Sequence, residues 1–323
     1  MSNRYNREKP RYQAQTAELA NAYKTATSRI LNELQRLDVT DMSRQQSAAA
    51  LANVSRQLKQ LDADSAKWAE TNIPIAAQQG VERAIITLGD ARSLSEAGGI
   101  VRFNRANDNA IADAILDTQK DLLAVTQNID RRTKQVVRHV TGESIRENMA
   151  AGVNGRKTLR ADILAKLQVE LADAIDTGII DAGGRRWKPG HYVDMLSRTK
   201  MAEIYDIANM NEGIMRGALY AVISSHGAID ACRFYEGTIM RLTAEAPGDY
   251  PTYDELKASQ QIWHPNCRHT FSVIRNPDIL PEEIRGEAIA KDELAQRALA
   301  TGERNPMIDE DFSSMTTGEI LSI

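Results

Sequence analysis

Apolar residues recur every three or four positions over most of the first 180 residues, which is typical of amphipathic helices. One such stripe covers about residues 12–37, and a second begins after Ser43, which with Gln46 resembles a capping box. The first stripe contains Leu19, Tyr23, Ala26, Ile30, Leu34 and Leu37, and the second contains Leu51, Val54, Leu58, Leu61 and Trp68. The short connection predicts an antiparallel helical hairpin. Pro74 predicts a break, followed by a third helix to about Leu88.

A long helical pattern then covers about residues 107–150, after a predicted loop over residues 95–99. Gly142 is a candidate interruption of this helix, and residues 152–155 predict a turn. A further helix is predicted to end at Gly178. Its apolar positions have four-residue spacing and are Leu159, Ile163, Leu167, Leu171 and Ile175.

The pattern changes after residue 178. Short apolar runs around Gly183 and Gly184 predict a small hairpin, and a helix is predicted over about residues 191–217. Strands are predicted at residues 220–223, 233–242 and 270–274, with a turn-rich segment between residues 244 and 253. After Pro277 an acidic helix is predicted to about residue 301.

These patterns predict an α+β protein that is mostly α, with a long helical N-terminal region followed by a small mixed α+β C-terminal domain. We expect a helical region over residues 1–150, an α+β domain over residues 151–276, and a C-terminal helix and tail over residues 277–323.

Composition and charge exclude some classes of function. The 323 residues carry a net charge of −4, which gives no general attraction to nucleic acid. The most basic run, around residues 131–139, is better explained by a solvated helix face than by contact with DNA phosphates. No apolar stretch is long enough to predict a membrane span, and the N-terminus lacks the apolar core of a signal peptide. Two cysteines predict an intracellular protein with free or metal-bound thiols.

Both cysteines and three of the five histidines lie in one window of 44 residues. The candidate metal ligands in it are Cys232, His264, Cys267 and His269. Thiolates and imidazoles are the ligands that zinc takes in tetrahedral sites, and His226 or Asp230 could replace one of them. The alternative is that the histidines hydrogen-bond backbone carbonyls while the cysteines are small buried apolar groups. Zinc is the only cofactor that this window suggests.

Catalytic interpretations of the same window are weaker. Cys232 or Cys267 could be a nucleophile activated by a histidine and oriented by Asp230 or Glu236, but no cysteine hydrolase signature surrounds either thiol. Arg198 together with Glu203 and Glu236 could indicate a nucleotide-handling enzyme. Ion pairs between helices explain these charges more simply.

Three segments of this window resemble the phage minor capsid protein 2 family and, more loosely, the Mu-type head morphogenesis proteins. The first covers residues 222–228 and includes Ser224-Ser225-His226-Gly227. The second runs from Asp230 to Gly237, and the third is His264-Pro265-Asn266-Cys267-Arg268-His269. The preceding helix, from Arg198 to Gly213, is also similar in character. The looser relatives carry two further cysteines where this chain has Tyr235 and His269, so the resemblance leaves the ligand set open.

The resemblance implies a structural virion protein present in few copies, inside the phage head or at the portal, and in the host cytoplasm during assembly. The implied partners are portal or capsid proteins and packaged DNA, and the implied processes are head assembly, DNA packaging and DNA ejection. The N-terminal helices could also form a homo-oligomer. No enzymatic activity follows from the resemblance.

Two rival functions stay open at the level of sequence. One is a toxin-like or nucleotide-transferring enzyme in the C-terminal domain. The other is an ejection protein that acts on DNA or on a membrane through its N-terminal helices.

Overall fold

The computed structural model describes residues 10–35, 44–150 and 161–307, apart from residues 164, 168, 171–172, 175–178, 182 and 305. The first 150 residues contain helices α1 (Gln13–Gln35), α2 (Arg44–Thr87), α3 (Leu94–Ile100) and α4 (Arg105–Ala150). The described residues between 161 and 174 are also helical. The predicted capping box at Ser43, the turn at residues 152–155 and the helix end at Gly178 lie outside the described residues.

Helices α1 and α2 form the antiparallel hairpin that their stripes predict. Near the start of α1, the carbonyl of Gln15 accepts a hydrogen bond from Trp68 Nε1 (3.0 Å), and farther along Ser65 donates to Tyr23 (3.2 Å). Near the end of α1, Glu33 accepts hydrogen bonds from side-chain amides at residues 53 and 57 of α2. Later residues of α1 therefore contact earlier residues of α2, which shows that the two helices are antiparallel.

The predicted break at Pro74 is wrong, because α2 continues through it to Thr87. A proline inside a helix removes one hydrogen-bond donor and costs about 3 kcal/mol. Ile73, Ala76 and Ala77 on the adjoining turns are fully buried, and this burial offsets the cost. Gly142 likewise does not interrupt α4.

The predicted loop over residues 95–99 is also wrong, since these residues belong to α3. The Ser93 side chain accepts a hydrogen bond from the backbone N–H of Glu96 and so caps the helix. Ala97 is completely buried and anchors this short element.

Contacts between residues divide the chain into two compact units. Unit 1 takes the described residues of Met1–Arg11, Ile75–Ile111 and Met201–Ile323, and unit 2 takes those of Tyr12–Pro74 and Ala112–Lys200. Unit 2 contains the α1–α2 hairpin, most of α4, and the predicted small hairpin, in which β1 (Ile179–Ile180) pairs with β2 (Arg186–Trp187). The predicted boundaries at residues 150 and 276 stay a prediction.

Unit 1 is built around a three-stranded antiparallel sheet of order β4-β3-β5. The strands are β3 (Tyr220–Ile223), β4 (Ile239–Arg241) and β5 (Phe271–Ile274). Helices α5 (Pro189–Met215), α6 (Tyr253–Ser259) and α7 (Glu282–Ala300) complete this part of the chain, with α5 beginning in unit 2. The sheet and helices confirm the α+β, mostly α, fold class.

Both faces of the sheet are covered, so every residue of β3 and β5 is buried. Side chains alternate between the faces along a strand. Ala221 and Ile223 join a cluster that contains Trp263 and Leu256, while Tyr220 and Val222 join a second cluster on the other face.

The predicted strand over residues 233–242 is mostly wrong, because only Ile239–Arg241 is extended. Ala231–Phe234 instead form a 3₁₀ turn, which Asp230 caps by accepting a hydrogen bond from the N–H of Cys232. Gly237 has a φ of 78°, which is incompatible with a continuous strand.

None of the helices in the described ranges combines the length and the apolarity that a membrane crossing requires.

Candidate functional site

The register of the sheet brings the three motif segments to one end of it. Val222 of β3 pairs with Ile239 of β4, and Ile223 pairs with Phe271 of β5. Since both pairings are antiparallel, the residues that follow β3 lie beside the residues that precede β4 and β5. Hydrogen bonds from the N–H of Ser224 to the carbonyl of Thr270 (2.9 Å) and from the N–H of Gly237 to the carbonyl of Ile223 (3.1 Å) continue this alignment.

A tight turn presents His264 and Cys267 on the same side of the chain. The N–H of Cys267 donates to the carbonyl of His264 (2.9 Å), with Pro265 and Asn266 at the two central positions. Asn266 has a φ of 68°, as the third residue of a type II turn requires, and Pro265 suits the second position because its φ is fixed. This turn explains why the predicted motif contains Pro265 and Asn266.

Cys232 is held in the 3₁₀ turn and is 1% exposed. Its Sγ lies 3.7 Å from Cys267 Sγ and 3.2 Å from His264 Nε2. The same nitrogen of His264 lies 3.1 Å from Asp230 Oδ2. The structure therefore brings together four of the predicted polar residues, although Cys232 and Cys267 are 35 positions apart in sequence.

His269 and Glu236 form a second layer next to Cys267. His269 Nδ1 lies 3.3 Å from Cys267 Sγ, and His269 Nε2 lies 3.0 Å from Glu236 Oε1. Glu236 also accepts backbone hydrogen bonds from His226 (2.8 Å) and Ala228 (3.1 Å). The rings of His226 and His269 are in contact, with centroids 4.1 Å apart. Glu236 thus fixes both the loop after β3 and the orientation of His269.

The two thiols have opposite pKa shifts. The hydrogen bond from Cys232 lowers the pKa of Cys267, and the neighbouring His269 adds to this effect while burial opposes it. The same contact with Cys267, together with burial and the charge of Asp230, raises the pKa of Cys232. The directions of these shifts make Cys267 the more acidic of the two thiols.

The ionisable groups around the thiols have pKa values shifted toward their charged forms. Burial alone lowers the pKa of His269, but its contacts with Cys267 and Glu236 outweigh burial and raise it. Burial alone raises the pKa of Glu236, and the hydrogen bonds from His226, His269 and Ala228 reverse this effect and lower it. The pKa of Asp230 is lowered in the same way, against burial, by hydrogen bonds from Cys232 and His264.

The remaining predicted motif residues have other positions. Gly237 follows Glu236 and supplies the left-handed backbone conformation at that point, while Arg268 is exposed. Arg198 lies in unit 2, where it forms an ion pair with Asp194 one helical turn away. Glu203 forms an ion pair with Lys257 (3.2 Å), so the charges behind the nucleotide-handling hypothesis have local partners.

Gln261 is a buried part of the site that the sequence pattern did not indicate. It accepts a hydrogen bond from the Tyr235 hydroxyl (2.6 Å) and donates one to the carbonyl of Ala298 in α7 (2.9 Å). The backbone carbonyl of Gln261 accepts a hydrogen bond from Cys232 Sγ (3.5 Å). A single glutamine next to Gln260 carries no sequence signal of this role.

The contacts permit two kinds of chemistry. Cys267 contacts His269, and His269 contacts Glu236. A cysteine hydrolase has the same chain of contacts from nucleophile to base to carboxylate. However, Cys267 Sγ already contacts Cys232 Sγ at 3.7 Å. Two cavities, of about 970 and 260 Å³, are lined by other residues. Two sulfur donors and one imidazole donor within 4.8 Å of one another, with His269 next to Cys267, are instead suited to a metal ion.

Among the described residues there are two further groups of potential ligands. His226, Glu236 and His269 form one beside the cysteines, and His139, Glu143 and Glu170 form the other in unit 2. His139 is exposed and pairs with Glu143 one turn away on α4 (3.3 Å). This arrangement is the ordinary one for a solvated helix face.

The fold and the cluster define a mostly helical α+β protein in which buried cysteine and histidine residues close one end of a small sheet. A model of the family "Phage minor capsid protein 2" matches residues 92–299, which are 208 of the 323 residues and include the whole cluster. The chain belongs to this family, and it is accordingly a structural protein of the phage head. Neither a curated protein nor a solved structure matches the chain significantly.

Proposed function

We propose that this protein is a low-copy component of the phage head, placed in the head interior or at the portal, where it takes part in DNA packaging or ejection by binding other head proteins. The observation that carries the proposal is the family match over residues 92–299. Virion association follows from it, and the finer location is the proposal.

The long helices of unit 2 support binding to other proteins. Helix α4 has 46 residues and is therefore about 69 Å long. Leu116 and Leu123 lie seven positions apart on one side of α4, and they are 64% and 39% exposed. Exposed apolar positions at this spacing are suited to docking on a partner helix.

The charges of α4 support protein contacts rather than direct DNA contacts. The net charge of the chain is −4. Within the basic run, Lys134 pairs with Asp130 (2.6 Å), which leaves less positive charge for phosphates.

The test is genetic complementation of a phage in which an amber codon stops this gene. Purified virions would be analysed by quantitative mass spectrometry for the ratio of this chain to the major capsid protein, and by chemical cross-linking for its neighbours. We expect far fewer copies than the major capsid protein, cross-links to the portal, and particles with reduced DNA content or reduced ejection when the chain is absent.

A pair of matched variants tests the surface on α4. Leu116→Glu with Leu123→Glu should lower incorporation into virions, whereas Ala124→Glu with Gln135→Glu adds the same charge at other exposed positions of α4 and should not. Absence of the chain from virions, or a copy number equal to that of the major capsid protein, would contradict the proposal.

A further inference from the structure

Three donor atoms in the cluster have the separations of ligands around one metal ion. Cys232 Sγ, Cys267 Sγ and His264 Nε2 all lie within 4.8 Å of one another. A tetrahedral zinc with Zn–S distances of about 2.3 Å and Zn–N distances of about 2.0 Å separates two sulfur ligands by about 3.8 Å and a sulfur from a nitrogen by about 3.5 Å. The observed separations are 3.7 Å between the sulfurs and 3.2 Å from Cys232 Sγ to His264 Nε2.

His269 provides a fourth donor next to Cys267. Its Nδ1 lies 3.3 Å from Cys267 Sγ, while its Nε2 is hydrogen-bonded to Glu236 (3.0 Å). When Nε2 donates its proton to the carboxylate, Nδ1 carries the free lone pair. A carboxylate behind a histidine is the usual arrangement at zinc sites, because it fixes the tautomer and the ring orientation.

Asp230 is the rival fourth ligand, since its Oδ2 lies 3.1 Å from His264 Nε2. Its side chain is 51% exposed, whereas that of His269 is 1% exposed. Two thiolates and two neutral imidazoles also give an uncharged zinc complex, which suits a buried site better than the net negative complex that a carboxylate would form. Both considerations favour His269.

We propose that Cys232, His264, Cys267 and His269 bind one Zn²⁺ ion. The donor types agree with this metal, because thiolate ligands select zinc over magnesium and calcium, which prefer oxygen. The ion joins the 3₁₀ turn at Ala231–Phe234, the turn from His264 to Cys267, and the residue that leads into β5. It therefore acts as a structural crosslink, and this role is independent of where the protein lies in the phage head.

The second layer explains the arrangement of the loop after β3. Glu236 accepts hydrogen bonds from the N–H groups of His226 and Ala228 as well as bonding His269. The loop is thus connected to the metal through one carboxylate. Substituting a residue that hydrogen-bonds a metal ligand in this way lowers the metal affinity by about 10- to 100-fold.

The test uses the full-length chain without a histidine tag, purified in a reducing buffer, with zinc measured by elemental analysis. We expect about one Zn²⁺ per chain in the wild type and its loss in Cys267→Ser and His264→Asn. His191→Asn is the matched control, because it makes the same change at a histidine of α5 that is exposed. This variant should keep the metal. Glu236→Gln should still bind the metal after purification, but a chelator too weak to remove zinc from the wild type should remove it from this variant.

Two variants decide the fourth ligand. His269→Asn should weaken zinc binding strongly, and Asp230→Asn should leave it near the wild-type value. The opposite result would overturn the assignment of His269.

A spectroscopic measurement covers the case in which cysteine variants do not fold. The wild-type protein, stripped of zinc and loaded with Co²⁺, should show the intense visible bands of a tetrahedral site and a thiolate-to-cobalt charge-transfer band. X-ray absorption of the zinc form should show two sulfur and two nitrogen ligands. A wild type that binds no zinc after reconstitution, or a metal site without sulfur ligands, would overturn the proposal, and neither result would bear on the copy number in virions.

Discussion

Single residues place the cluster through their backbone conformation as much as through their side chains. Asn266 has positive φ and turns the chain so that His264 and Cys267 point the same way. Asparagine and glycine tolerate this conformation, whereas most other residues lose about 1–2 kcal/mol in it. The residue types of the motif are therefore explained partly by a turn and partly by the chemistry of the donors.

Asp206 is a second residue whose surroundings have a measurable consequence. It lies in α5, is 2% exposed, and its Oδ1 has no hydrogen-bond partner within the described part of the chain. Burial raises the pKa of this carboxyl well above its usual value, Cys267 and Glu203 add to the shift, and Lys257 opposes it. The folded protein therefore retains the Asp206 proton at a pH where the unfolded chain has released it.

The pKa of Asp206 is higher in the folded protein than in the unfolded chain, where it is 3.8. Below pH 3.8 the carboxyl is protonated in both states and carries no charge penalty. As the pH rises from there toward the folded pKa, the free energy of unfolding falls. We expect Asp206→Asn to raise the free energy of unfolding at pH 7 by roughly 1–3 kcal/mol, because an amide does not titrate and avoids a penalty of about 1.4 kcal/mol for each pH unit between the unfolded and folded pKa values. The gain should shrink toward pH 4. Urea unfolding of both proteins at several pH values measures it.

Glu203→Gln is the control for this prediction. It removes one carboxylate from the same helix, but Glu203 is only partly buried and has Lys257 as its partner at 3.2 Å. Its effect should stay below about 1 kcal/mol and should not grow with pH in the same way. A pH-independent effect of Asp206→Asn would contradict the raised pKa.

At the scale of elements, close packing decides which irregular residues a helix accepts. Gly80 of α2 lies against α5 in unit 1, and a Cβ atom at this position would be 2.1 Å from the carbonyl oxygen of Tyr205. Gly142 of α4 has no atom within 4 Å of the corresponding point. The two glycines look alike in the sequence but have different structural roles.

Alanine substitutions test this difference. Gly80→Ala should lower the free energy of unfolding by roughly 1–3 kcal/mol, because backbone atoms of α5 have to move. Gly142→Ala should raise it by about 0.5–1 kcal/mol, because alanine restricts the unfolded chain and favours helix. Thermal unfolding monitored by circular dichroism measures both, and equal effects of the two substitutions would contradict the described contact.

At the scale of the whole molecule, the distribution of charge bears on how the protein could act during packaging or ejection. The net charge is −4, and cations on α4 such as Lys134 have carboxylate partners. A protein of this kind gains little from the release of counterions on DNA.

We therefore expect the purified full-length protein to bind duplex DNA with a dissociation constant weaker than about 10 µM at ~150 mM salt. Fluorescence anisotropy with a labelled duplex measures this. The double variant Arg131→Gln with Arg132→Gln should not change the result. Tighter binding that falls steeply with salt and is lost in the double variant would instead favour the rival function of a DNA-active ejection protein.

The sequence by itself determined the features that depend on local periodicity. The α1–α2 hairpin, the extent of α4 and the positions of β3 and β5 agree with the apolar spacing, and the three motif segments indicated the family that the match over residues 92–299 confirms. Local patterns carried this information because helix and strand periods repeat within a few residues.

Only the tertiary structure decided the features that depend on contacts between distant residues. Burial around Pro74 keeps α2 continuous, and the capped turn after Asp230 and the positive φ of Gly237 replace most of a predicted strand. The register of β3 with β4 and β5 sets the distances among Cys232, His264 and Cys267, and the fully buried Gln261 contacts Cys232. Sequence spacing could nominate the cysteine and histidine ligands, but it could not place them, because their separation is set by strand pairing between residues tens of positions apart.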